Sequence, residues 1–150
     1  MNFVKRTFFW AGVYGLLCVG PQLFLESKTS RDYPPAITHP EFYYGFVGVT
    51  IAWQLAFLLI SRDPVRHRPL MPACMVEKAA FAIAVPVLFA QGRVPAFLLV
   101  FAAIDALLGV LFVVSWLRTP RAWAVSEKSP VLGPRSEVPI SSPGEGGVRT

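Results

Sequence analysis

The stretch VPAFLLVFAAIDALLGVLFVVSWL, Val94 to Leu117, carries one charged residue in twenty-four, Asp105 near its middle. Coiled as a helix at about 1.5 Å per residue it extends roughly 36 Å, enough to cross a hydrocarbon core of about 30 Å with some tilt. A carboxylate at that depth costs about 2.5–3.5 kcal/mol, so a partner must face it or a proton must neutralise it.

Three more apolar runs precede it. Phe8–Leu25 follows Lys5, Arg6 and Thr7 and is expected to loosen at Gly20-Pro21. A basic start before an apolar run also resembles a secretory signal, but no A-x-A cleavage site follows, and the run is read as a retained span. Phe42–Ile60 opens on the aromatic cluster Phe42, Tyr43, Tyr44 and Phe46, as expected at a membrane interface, and stops at Ser61-Arg62-Asp63-Pro64. Pro72–Ala90 holds Pro86, a potential kink, and Gln91-Gly92-Arg93 turns the chain into the fourth run. Between the first two runs lies a polar connection, Glu26–His39, in which Thr38 has the capping-box relation to Glu41. Residues 122–150 hold four prolines, four glycines and five serines without a lasting apolar period, the composition of a disordered tail.

The fold class expected is therefore all-α: an integral membrane four-helix bundle over residues 1–121, with spans at about 8–25, 42–60, 72–90 and 94–117, and a disordered cytoplasmic tail over 122–150. Composition agrees, with 54% hydrophobic and only 15% charged residues against roughly 25% charged in soluble domains. The net charge of +5 does not point to nucleic acid, because the basic residues lie at the ends of apolar runs. Lys5, Arg6, Arg62, Arg66, Arg68, Arg118 and Arg121 fall on one side, and Lys28, Arg31 and Arg93 on the other. That asymmetry predicts both termini in the cytoplasm, in a bacterial plasma membrane on the strength of the chain's compactness.

Counting inward from the cytoplasmic end, Tyr14 falls at roughly 10 Å, Gln54 at roughly 12 Å and Glu77 at roughly 8 Å, while Cys18, Thr50 and Asp105 fall at roughly 16–19 Å. Tyr14 and Cys18 are four apart, as are Thr50 and Gln54, so each of the first two spans offers one polar group to each layer from a single face. The expectation is a narrow polar seam inside the bundle, with Asp105 largely protonated and donating to Thr50 or a carbonyl. Lys78, about 100° around the helix from Glu77, is expected to reach back to the interface. Asp105, Glu77, Gln54, Thr50 and Tyr14 are the ligand-binding or proton-handling candidates. Each also has a structural reading, because membrane bundles use isolated polar side chains to join helices. Gly48, Ala52 and Ala56 recur every four residues and would let a neighbouring helix, or a second copy of the chain, approach closely.

The lead-in Pro40-Glu41-Phe42, the core Trp53-Gln54-Leu55-Ala56-Phe57 and the preceding PQLFLE segment (21–26) resemble the EXPERA group. Those are helical membrane proteins that include sterol isomerases and binders of sterols or cationic ligands. The resemblance implies a membrane bundle with an apolar ligand, but an acid such proteins carry one turn before the glutamine is Thr50 here, so it implies no isomerase chemistry. In span number and size the chain also resembles small DoxX-like membrane proteins.

Cys18 and Cys74 form no CxxC pair, and His39 and His67 fall in connecting segments, so no metal or cofactor is expected. No nucleophile set is assembled either. The favoured reading is a small polytopic membrane protein that binds an apolar or amphipathic molecule, or serves as an accessory subunit, without catalysis. Its expected partners are membrane lipid, an apolar ligand and a second copy of the chain. Two alternatives share the same residues: an enzyme acting on a lipid-like substrate, and a proton-coupled transporter working as a dimer.

Overall fold

The computed structural model describes residues 1–33 and 35–121; the expected tail at 122–150 lies outside them. Among the described residues every regular element is helical: α1 (Asn2–Val19), α2 (Glu26–Asp32), α3 (Pro40–Arg62), α4 (Met71–Ala90) and α5 (Leu98–Arg118), with 3-10 turns at Gly20–Phe24 and Arg68–Leu70. Four segments, Asn2–Phe24, Pro40–Arg62, Arg68–Ala90 and Leu98–Arg118, are long and apolar enough to cross a membrane. The chain is thus an all-α, four-helix architecture of the kind that fits a small membrane protein.

The boundaries differ from the hydropathy limits for local reasons. α1 begins at Asn2 rather than near Phe8, because Val4 and Phe8, four apart, both turn into the core while Lys5 and Arg6 face outward. It gives way to a 3-10 turn at Gly20, where Pro21 lacks the N–H an α-helix would use. The Gln22 amide donates to the Cys18 carbonyl at 3.3 Å, and the Tyr43 hydroxyl of α3 donates to the Gln22 carbonyl at 2.8 Å. The polar connection, which had no expected element, contains α2. Its Glu26 sits in the first turn, Arg31 in the last, and Lys28 pairs with Asp32 one turn on. Tyr44 of α3 donates to Glu26 at 2.8 Å and fixes α2 against the bundle.

At the start of α3 the expected capping box does not form. The cap is His39, one residue later than Thr38, which moves Glu41 out of the third helical position the box requires. Glu41 instead accepts from the His39 ring at 3.1 Å. α4 continues through Pro86 to Ala90. It ends in a Schellman arrangement, with the Arg93 and Gly92 amides donating to the Leu88 and Phe89 carbonyls, both at 2.9 Å. Gly92 has φ +69°, a conformation that penalises any Cβ. Gly92→Ala should therefore lower stability by about 1 kcal/mol, readable as a reduced unfolding midpoint in mild detergent. The last helix starts at Leu98, after 3-10 bonds from Leu98, Leu99 and Val100 back to Pro95, Ala96 and Phe97. It stops at Thr119, whose extended backbone is what a following proline favours.

α1 packs along α3 and α4 along α5, and the two pairs meet mainly through α1 and α5. The meeting point is an aromatic trio from three helices. Phe8 stacks on Phe112 at 4.3 Å, and Phe57 stands edge-on to both, at 6.2 Å from Phe8 and 5.0 Å from Phe112. Such pairs add about 0.5–1.5 kcal/mol beyond their contact area. Val4, Ala11, Ile60, Met71 and Cys74 complete this core. These residues come from the start of α1 and α4 and the end of α3 and α5, so the core sits at one end of the bundle, the end that carries most of the basic residues.

Arg68 closes that end. Its Nε donates to the Thr119 carbonyl at 2.8 Å and its guanidinium lies 4.6 Å over the Trp116 ring. The Arg62–Arg68 loop is therefore not wholly turned to solvent or headgroups, because one of its arginines caps α5.

Candidate functional site: a buried charge cluster

Above the aromatic trio lies Lys78, only 5% exposed, with its stem on the face of α4 that meets α5. Gly109 opposite has no side chain, and a Cβ there would already touch the Lys78 Cβ at 3.7 Å. The ammonium is held by two acids. Nζ lies 3.3 Å from both carboxyl oxygens of Glu77 and 3.2 Å from Oδ1 of Asp105. The Phe57 ring of α3 forms its remaining wall at 5.4 Å, within cation–π range.

This overturns the expectation for Lys78. The side chain does not reach back to the interface; it turns inward because Asp105 offers a counter-charge nearer than water. Asp105 in turn is not a donor to Thr50. It is paired with Lys78, and the Thr50 hydroxyl donates to its own helix, to the Phe46 carbonyl at 2.8 Å.

The five candidates thus divide. Glu77 and Asp105 are joined through Lys78. Tyr14 is half-buried on α1, one turn before Cys18, and lines the side of α1 that faces α5. Thr50 and Gln54 belong elsewhere. Gln54 is fully buried against α1, its amide donates to the Thr50 carbonyl at 3.1 Å, and its Oε1 has no hydrogen-bond partner among the described residues. It fits only because Gly15 lies opposite, where a Cβ would stand 2.0 Å from that oxygen. The single continuous seam is in fact two polar sites, one between α4 and α5 and one between α1 and α3.

The small-residue stripe does not make the tight contact within the bundle. Gly48 and Ala52 face outward, with nothing within 4 Å of a Cβ at Gly48, while the close approach between α1 and α3 is made by Gly12 and Gly15. Lys78 was the residue most readily missed, yet one signal pointed to it. Asp105 needs a counter-charge, and Lys78 is the one cation inside any of the four apolar runs.

A second feature lies on the outer side of α1. Between α1 and α5 runs a groove of about 600 Å³, open along its length. Asn2, Arg6 and Thr7 line one end and Tyr14 the other, with Ile104, Leu108 and Leu111 of α5 forming the opposite wall.

No family model, curated protein or solved structure matches the chain. Fold and site together define the class, a four-span helical bundle with a charge cluster inside its spans.

Proposed function

We propose that the protein is a non-catalytic membrane protein that binds an anionic amphiphile, its headgroup at Arg6 and its chain in the groove between α1 and α5. The polarity gradient along that groove carries the reading. Arg6, Asn2 and Thr7 supply a cation and polar donors at one end, and Trp10 follows at the level where indole rings favour a membrane interface. Arg118 adds a second guanidinium beside this end, 5.0 Å over the Phe3 ring. Beyond Trp10 the walls become hydrocarbon as far as Tyr14. The distance from Asn2 to Tyr14 is about 18 Å along a helix, slightly more than one leaflet of a hydrocarbon core about 30 Å thick. An acyl chain from one leaflet matches that length. Among the described residues no carboxylate or histidine lines the groove, which favours retention of a molecule over its chemical conversion.

Orientation follows the same charges. Among the described residues, the end that holds the groove's cations carries seven basic residues and only Asp63 among the acids, whereas Lys28, Arg31 and Arg93 at the far end are balanced by Glu26, Asp32 and Glu41. The basic end is therefore assigned to the cytoplasm, where anionic lipids present their headgroups.

Native mass spectrometry of the chain extracted in mild detergent tests the reading. The parent protein should retain an anionic lipid. Arg6→Gln should reduce retention about fivefold, the effect of removing one cation at a headgroup. Ile104→Trp, which fills the groove's deep end, should displace the chain. Retention unchanged by both substitutions would discard the groove as the binding site.

A further inference from the structure

We propose that Glu77, Lys78 and Asp105 form a proton-binding site that holds one exchangeable proton at neutral pH, independently of any occupant of the groove. The argument begins with the count of charges. Two carboxyl groups converge on one ammonium, at 3.3 Å and 3.2 Å, so Lys78 neutralises one of them and leaves one negative charge over. Among the described residues the neighbouring elements do not supply the missing cation. α1 contributes Tyr14 and Cys18, α3 the Phe57 ring, and α4 Cys74 one turn before the pair. α5 offers nothing ionisable between Asp105 and Arg118.

An uncompensated carboxylate inside a membrane span is costly to keep. The smallest counter-charge that reaches it is a proton from water. Its uptake breaks an O–H bond of hydronium, releasing water, and forms one O–H bond on a carboxylate; it leaves a neutral carboxylic acid beside a neutral ion pair and changes no oxidation state. The side chains of Glu77 and Asp105 are 16% and 15% exposed, against 6% for Lys78. Glu77 stands about two turns from the basic end of α4, at a depth of roughly 8 Å, and it is with water from that end that the proton exchanges. Because Lys78 touches both carboxyls, either one can be the partner that stays ionised, and the proton belongs to the pair.

Infrared spectroscopy of the full chain at neutral pH reads this directly, through the C=O band of an un-ionised carboxyl group and its shift in deuterium oxide. The parent protein should show the band with the intensity of one carboxyl. Glu77→Gln and Asp105→Asn should each abolish it, because the remaining carboxylate then pairs with Lys78 alone. Lys78→Met should double it. Glu41→Gln, at an exposed acid on the opposite end, should leave it unchanged. A parent spectrum without the band overturns the proposal before any variant is made. A band that survives in either single-acid variant also overturns it.

Discussion

Lys78→Met should unfold far more readily than any single-acid variant of the cluster. Removing one partner of a buried ion pair costs about 3–5 kcal/mol, because the other charge is left uncompensated. Here two carboxyls lose the same counter-charge, at 3.3 Å and 3.2 Å, and the Phe57 ring loses the ammonium it faces. A second proton offsets part of the loss, so the expected penalty is near 3 kcal/mol, the lower end of that range. Asp105→Asn and Glu77→Gln should cost only about 1 kcal/mol, since each leaves Lys78 one carboxylate and a polar amide in place of the other. Thermal or denaturant unfolding in one detergent, read by helical circular dichroism, gives the ranking. Equal destabilisation by Lys78→Met and Asp105→Asn would show that the lysine is not the shared hub.

Gly15→Ala should loosen the α1–α3 pair by about 1–3 kcal/mol, the usual penalty for overfilling a packed interface. The added Cβ would lie 2.0 Å from Oε1, 2.3 Å from Cδ and 2.8 Å from Cγ of Gln54. Gln54 is 1% exposed, and its Cγ as well as its amide end stands in the way, so turning the amide alone does not clear the space. The cause is therefore a single side chain, and a double-mutant cycle isolates it. In a Gln54→Ala background the same Gly15→Ala change should cost almost nothing. Gly12→Ala provides the contrast, because its Cβ would meet the Gln54 backbone carbonyl at 2.9 Å as well as Leu58. Trimming Gln54 should not rescue it. If Gly15→Ala is equally harmful in both backgrounds, some contact other than Gln54 sets the spacing of these helices.

Hydropathy made the spans legible, because a lipid-spanning run needs only length and a lack of charge, and both are one-dimensional. The direction in which a side chain leaves its helix is not. Depth counting placed Thr50 and Asp105 in one layer, yet Thr50 bonds its own backbone and Asp105 meets Lys78. Spacing alone also could not choose between Gly48/Ala52/Ala56 and Gly12/Gly15 as the tight contact, since α3 is apolar on most sides and its sequence does not mark which face is covered. Charge complementarity, which was not applied to Lys78, is the better guide. One acid and one cation in separate apolar runs had reason to meet, however their depths were counted. The short helix α2 escaped notice because its stability comes from Lys28, Asp32 and the Tyr44–Glu26 bond rather than from an apolar period.

The pairing of neighbours in the chain has a consequence for biogenesis. α1 finds α3 across the segment that holds α2, and α4 finds α5 across residues 91–97, so the closest contacts of each half are available as soon as that half has been made. Only the junction at Phe8, Phe57 and Phe112 must wait for the last helix. A ribosome can thus deliver residues 2–62 as a self-matched hairpin, and joining it to the second hairpin is a docking step between preassembled halves rather than a search among four loose rods.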